Sequence, residues 1–90
     1  MDEARERAFE QFVGAYGTSL LRFAYLLAGD RETAEDLLQS ALERCYRYWR
    51  RVERSDRPEQ YVRRILANAA ADRWRLRRRM PESALAEAAR

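Results

Sequence analysis

The chain has 90 residues and a formal net charge of +3, with 37% charged, 47% apolar and 11% aromatic side chains. That length holds one domain with one small core, and that composition excludes a disordered polymer. No apolar run approaches the roughly 18 residues of a membrane span, and Asp2, Glu3 and Glu6 stand where a secretory signal would be basic and then apolar, so a soluble, cytoplasmic protein is expected.

The first predicted element is a long amphipathic helix. From Phe9 onward, Phe9, Phe12, Val13, Tyr16, Leu20, Phe23, Ala24 and Leu27 recur at steps of three and four. Gly14 and Gly17 interrupt it at a cost of about 1 kcal/mol each relative to alanine, which predicts a weak point, a slight bend or the close approach of another helix. Gly29 then suits a helix C-cap and Asp30 the N-cap of the next helix.

The second helix is expected from about Arg31 to Arg51. Its buried stripe is Ala34, Leu37, Leu38, Ala41, Leu42, Cys45, Tyr48 and Trp49, and the opposite stripe of Glu32, Asp36, Gln39 and Glu43 is acidic. The segment Glu53 to Arg57 has no apolar residue and reads as a loop, after which Pro58 suits the first turn of a third helix. That helix carries Val62, Ile65, Leu66, Ala69, Arg73 and Leu76 on one side, and Arg64, Asn68, Asp72, Arg75 and Arg79 on another. Pro81 should end or break it, leaving an alanine-rich remainder with too little apolar surface to fold alone. With no strand-like alternation, the fold class is all-α, a compact bundle of three long helices with room for short additional ones.

Charge is divided along this framework. Between Met1 and Glu43 nine acids accompany four arginines, whereas between Arg44 and Met80 thirteen arginines accompany four acids. Two surfaces of opposite sign are implied, one suited to a basic protein partner and one to a phosphate backbone. Every basic residue is arginine, which fits bidentate contacts to phosphate or carboxylate and equally a GC-rich genome. The run Arg73, Arg75, Arg77, Arg78 and Arg79 shares a helix end with Trp74, and Arg54 and Arg57 add charge in the loop before the helix. Aromatics such as Tyr46, Tyr48, Trp49, Tyr61 and Trp74 beside arginines either pack a core or stack on exposed bases.

Other chemistry is missing. Histidine is absent, Cys45 is the only cysteine, and no glycine-rich phosphate loop occurs, so no metal site, cofactor or catalytic constellation is assigned and an enzyme is not expected. Cys45 lies at helical spacing from Ala41 and Trp49 and reads as a small core residue.

Two segments resemble one family. The run Gly29-Asp30-Arg31-Glu32-Thr33-Ala34-Glu35-Asp36-Leu37-Leu38-Gln39-Ser40-Ala41-Leu42, followed by Tyr46 and Trp49, resembles the polymerase-binding helix of extracytoplasmic function sigma factors. The run from Pro58 through Asn68 to Arg75 resembles their promoter-reading helix, and Leu20 to Asp30 is most similar to an actinobacterial branch. The resemblance covers about residues 9 to 80. Ser40 stands where an acid is usual, Leu42 where phenylalanine is frequent and Tyr61 where tryptophan is frequent; only the first changes charge.

The resemblance implies a region 2 domain over residues 1 to 80 that binds core RNA polymerase and melts the promoter −10 element. Residues 81 to 90 would begin the interdomain linker, and the family's C-terminal helix-turn-helix domain would be absent. Glu35, Asp36, Leu37, Gln39, Leu42 and Glu43 would meet the clamp helices of the β′ subunit. Arg54, Ser55, Asp56 and Arg57 would capture a base flipped from the non-template strand, a step that costs a few kcal/mol of stacking. Arg64, Asn68, Trp74, Arg75, Arg77, Arg78 and Arg79 would meet the upstream part of the element, with Asp72 orienting Arg75 or Arg64. An anti-sigma factor is the implied regulator. Two other readings remain open at this stage: a stand-alone helical repressor that reads duplex DNA through its third helix, and a helical protein-interaction module whose arginines are merely solvated.

Overall fold

A computed structural model describes residues 2–79, the last three by backbone alone. The chain forms four helices: α1 over Glu3–Ala28, α2 over Arg31–Arg47, α3 over Trp49–Arg54 and α4 over Pro58–Arg79. The expected all-α bundle of three long helices with a short addition is therefore observed. The helix end at Pro81 and the linker from 81 to 90 lie outside the described residues.

Local chemistry accounts for most of the boundaries. Helix α1 begins at Glu3, a full turn and more before Phe9, because the Asp2 carboxylate accepts a hydrogen bond from the Arg5 backbone N–H at 2.9 Å. That bond holds the Asp2 carboxyl below its usual pKa. At the other end Gly29 takes φ +86°, where its N–H donates to the Tyr25 carbonyl at 2.8 Å, and Asp30 caps α2 by accepting from the Thr33 N–H at 2.8 Å. Both caps are the ones the sequence predicts. Pro58 opens α4 as expected, and the Arg57 carbonyl accepts from the Tyr61 N–H at 3.0 Å. Gly14 and Gly17 produce neither an interruption nor a close helix approach: α1 runs continuously through them, and a Cβ built at Gly14 would meet nothing within 4 Å.

The second helix is shorter than expected. It stops at Arg47, and Tyr48 at φ −113°, ψ 32° separates it from α3. Packing explains the break. Trp49 lies edge-on to Phe9 at 5.4 Å between ring centroids and against Phe12 at 5.4 Å, both on α1, whereas α3 also lies against α4. One straight helix would not serve both neighbours as well as two joined at Tyr48. The break also turns Tyr48 out of the expected core stripe, leaving it 50% exposed. Helix α3 then extends to Arg54, so the loop shrinks to Ser55–Arg57.

The core is continuous through the bundle. Phe12, Leu20 and Ala24 of α1 meet Ala34, Leu37, Ala41 and Cys45 of α2, Trp49 and Val52 of α3, and Val62 and Leu66 of α4. No polar or charged residue is fully buried among the described residues. Tyr16, Leu27 and Leu76, expected on apolar faces, stay exposed, Tyr16 with its ring 5.1 Å from that of Phe12 between centroids.

Relative directions follow from the contacts. Phe9 meets Tyr46 while Leu27 and Ala28 lie beside Thr33 and Leu37, so α1 and α2 form an antiparallel hairpin. Helix α4 runs parallel to α1 and is clipped to it by a half-buried polar group: Arg63 donates to the Ser19 hydroxyl at 2.8 Å and to Glu59 at 3.1 Å, with its guanidinium 4.9 Å from the Phe23 ring centroid. Arg63 thus belongs to the scaffold, in contrast to its exposed neighbour Arg64.

Candidate docking face and nucleic-acid interface

Helix α2 presents three different flanks. Its outward stripe carries Glu32, Glu35, Asp36, Gln39 and Glu43, all exposed. Glu35 is tied to Arg31 at 2.9 Å, and Gln39 donates weakly to Glu43 at 3.5 Å, whereas among the described residues no hydrogen bond or ion pair engages Glu32 or Asp36. Leu42 is half-buried at the edge of the stripe. Leu37 is different. It is only 5% exposed and sits in the core, so it seats the stripe from beneath and has almost no area to offer a partner. The arrangement is an acidic ridge on a rigid helix, the geometry for pairing with a basic helical surface.

The flank toward α4 is basic and concave. A cleft of about 420 Å³ lies between α2, α3 and α4, lined by Arg44, Tyr48, Arg51, Val52, Tyr61, Arg64, Ile65 and Asn68. Arg64 and Asn68 lie one helical turn apart, as their spacing predicts, and both are exposed. Three guanidiniums and two phenol rings around one amide can hold phosphates at the edge and stack a base within. Arg44, Tyr48, Arg51 and Tyr61 are the residues the sequence-derived site omits. Their signal was the helical spacing of 44, 48 and 51, but such a stripe becomes a cleft only when another helix walls it.

None of residues 54–57 lines this cleft; Arg54 instead lines a separate one of about 410 Å³ with Asp2, Ala4, Arg5, Arg50 and Glu53. Arg54 ends α3, and Asp56 and Arg57 are exposed. Ser55 is half-buried, and its hydroxyl donates to the Val52 carbonyl at 2.7 Å, which caps α3 and leaves the oxygen free to accept. Trp74 falls elsewhere: it lines a small cleft of about 80 Å³ with Leu27, Ala28, Thr33, Leu37, Ala70 and Arg73, at the far end of α4. Ten residues of helix rise about 15 Å, so Trp74 and Arg64 do not form one pocket. Arg75 is ion-paired with Asp72, as the sequence reading of Asp72 anticipates. Arg77, Arg78 and Arg79 lie on the last turns of α4, and their side chains are outside those described.

The remaining titratable group of note is inert. Burial pushes the Cys45 thiol up to about 11, so it is protonated at neutral pH and behaves as a core residue. Among the described residues no cluster of His, Cys, Asp or Glu fits a metal ion, and no helix is long and apolar enough to cross a membrane.

Comparison with known proteins assigns this architecture. A family model described as Sigma-70 region 2 matches residues 12–80, which span the bundle from the middle of α1 to the end of α4. The chain belongs to the sigma-70 region 2 family. It is 36% identical over 87 residues to the RNA polymerase sigma-E factor of Streptomyces coelicolor, covering 89% of this chain and 49% of that protein. It is 37% identical over 70 residues to the sigma-E factor of Streptomyces avermitilis and 36% identical over 70 to that of Streptomyces antibioticus, each covering 78% of this chain and 39% of the relative. The region 2 chain thus spans half or less of these relatives. No solved structure matches it. The Streptomyces relatives agree with the sequence resemblance to an actinobacterial extracytoplasmic function sigma factor.

Proposed function

We propose that this chain is the polymerase-binding and −10-reading domain of a sigma factor, acting in the cytoplasm without catalysis of its own. The observation that carries the reading is the match to Sigma-70 region 2 across residues 12–80, together with relatives named RNA polymerase sigma-E factors. The opposite charges of two flanks of α2 support it. The acidic ridge of Glu35, Asp36, Gln39, Leu42 and Glu43 docks on the β′ clamp helices of core RNA polymerase, with Asp36 pairing with a clamp arginine. The cleft around Arg64 and Asn68 and the loop Arg54–Arg57 hold the non-template strand of the −10 element, stabilising the melted state.

Melting proceeds by capture rather than by force. A base that leaves the stack costs a few kcal/mol, and contacts made only by the flipped base offset that cost. The Tyr48 and Tyr61 rings and the accepting Ser55 hydroxyl provide such contacts, while arginines anchor the backbone at both ends of the site. An anti-sigma factor that covers either flank would silence the domain.

Calorimetric titration of the chain with a purified β′ clamp coiled coil tests the docking half. Micromolar binding is expected, with loss of at least tenfold in Asp36→Arg at unchanged helicity. Equal binding by both proteins would exclude the acidic ridge as the docking face. Preference for duplex over single-stranded −10 oligonucleotides would instead favour a stand-alone repressor, and salt-insensitive or absent DNA binding an interaction module.

A further inference from the structure

Helix α3 is a wall between two clefts. Arg51 and Val52 face the one around Arg64 and Asn68, whereas Arg50, Glu53 and Arg54 face the one of about 410 Å³ toward the start of α1. The lining of this second cleft is mixed in charge: Arg5, Arg50 and Arg54 stand with Asp2 and Glu53. Asp2 and Arg5 are already bound to each other, because the Asp2 carboxylate accepts from the Arg5 backbone N–H and pairs with its guanidinium at 3.7 Å. The other three charges are unspent. Arg50, Glu53 and Arg54 lie at i, i+3 and i+4 on one exposed face of α3, and among the described residues no hydrogen bond or ion pair engages any of them. Elsewhere in this chain arginines and acids at such spacings do pair, as in Arg31–Glu35, Arg63–Glu59 and Arg75–Asp72.

We infer that this cleft holds one nucleotide whose base carries an exocyclic amino group. Arg50 and Arg54 take its phosphate, the Arg5 guanidinium, fixed by Asp2, offers a plane for the base to stack on, and Glu53 accepts from the amino group. A site for phosphate alone would not place an unpaired carboxylate among its arginines, since that carboxylate repels the ligand. A nucleotide supplies both partners. Cytosine and adenine present an amino donor where thymine and guanine present a carbonyl, and a carboxylate accepts from the first and repels the second.

Continuity identifies the source of the nucleotide. Helix α3 with its side chains is about 10–12 Å across, a width that about three stacked nucleotides span at about 3.4 Å each. A strand that leaves the cleft around Arg64 and Asn68 and rounds the loop at Ser55–Arg57 therefore reaches Arg54 and Arg50 within a few nucleotides. The placement of this nucleotide downstream on the non-template strand rests on the function proposed above, whereas the chemistry of the cleft does not.

Fluorescence anisotropy of the 90-residue chain tests the inference with two single-stranded −10 oligonucleotides that end 3′ in three cytosines or in three thymines, pyrimidines of equal ring size. The cytosine end is expected to bind about fivefold more tightly or better. Glu53→Ala, at unchanged helicity, should bring that ratio to about one, and Arg50→Ala should weaken both oligonucleotides. If Glu53 merely repels the strand, the native ratio is already about one and Glu53→Ala tightens both equally; that result overturns the inference, as does a cytosine preference that Glu53→Ala leaves intact. Free dCMP should compete only weakly, and dCMP binding as tight as that of the cytosine-ended strand would overturn the strand as the source. Clamp binding without a cytosine preference would uphold the proposed function and remove the nucleotide cleft; a preference that depends on Glu53, without clamp binding, would do the reverse.

Discussion

Arg63 and Arg64 are adjacent in sequence and opposite in role, and salt dependence separates them. Arg63 is held by Ser19 and Glu59, whereas Arg64 lines the cleft with Arg44 and Arg51. Each phosphate neutralised on a single strand adds about 0.7 to the slope of log affinity against log salt. Three cleft arginines therefore give a slope of about −2, and Arg54 at the end of α3 with Arg57 in the loop extend it to about −3.5. Arg64→Ala should lower the magnitude by about 0.7, while Arg63→Met leaves it unchanged. Removing Arg63 should instead lower stability by about 1 to 3 kcal/mol, since Glu59 and Ser19 lose a half-buried charged donor. The assay is anisotropy of a single-stranded −10 oligonucleotide across a salt series, paired with urea unfolding of each variant. Equal loss of slope in both variants, or none in Arg64→Ala, would refute this division of the helix into a scaffold side and a phosphate side.

Three further outcomes follow from the packing. Leu37→Ala should cost about 2–5 kcal/mol in urea unfolding, because the side chain lies in the core; an unchanged midpoint would return it to the surface. Gly29→Ala should cost about 1–2 kcal/mol, a purely backbone penalty at φ +86°, since the added Cβ meets nothing within 4 Å; a neutral effect would contradict the left-handed cap. Cys45 makes stability fall in alkali. Its thiol titrates at about 11 when folded against 9.0 when unfolded, so its contribution is complete below pH 9 and disappears as pH rises toward about 11, at about 1.4 kcal/mol per pH unit. Urea unfolding across that range should show the slope in the native chain and lose it in Cys45→Ala.

How much was legible in the sequence depends on the range of the forces involved. Helix identity and the caps at Gly29, Asp30 and Pro58 were legible because they are set within four or five residues, by side-chain bonds to orphan N–H groups and by backbone angles. The acidic ridge was equally legible, since a polar stripe on a helix that buries its other side has only solvent to face. Leu37 shows the limit of a resemblance: the run that names the docking helix includes residues on both of its sides, whereas the helical stripe puts Leu37 inward and Asp36 outward, as the packing does.

Sequence by itself determined an all-helical chain, its opposed charges and the helices that carry them. Tertiary structure alone decided the break at Tyr48, the seating of Trp74 beside Leu27 and Leu37 and the two concave sites beside α3. The physical reason is that a periodic stripe records which residues are apolar or charged, but not which neighbour covers them or where that neighbour ends. A cleft is the property of two or three surfaces at once, and it exists only after α1, α3 and α4 have chosen their places against α2.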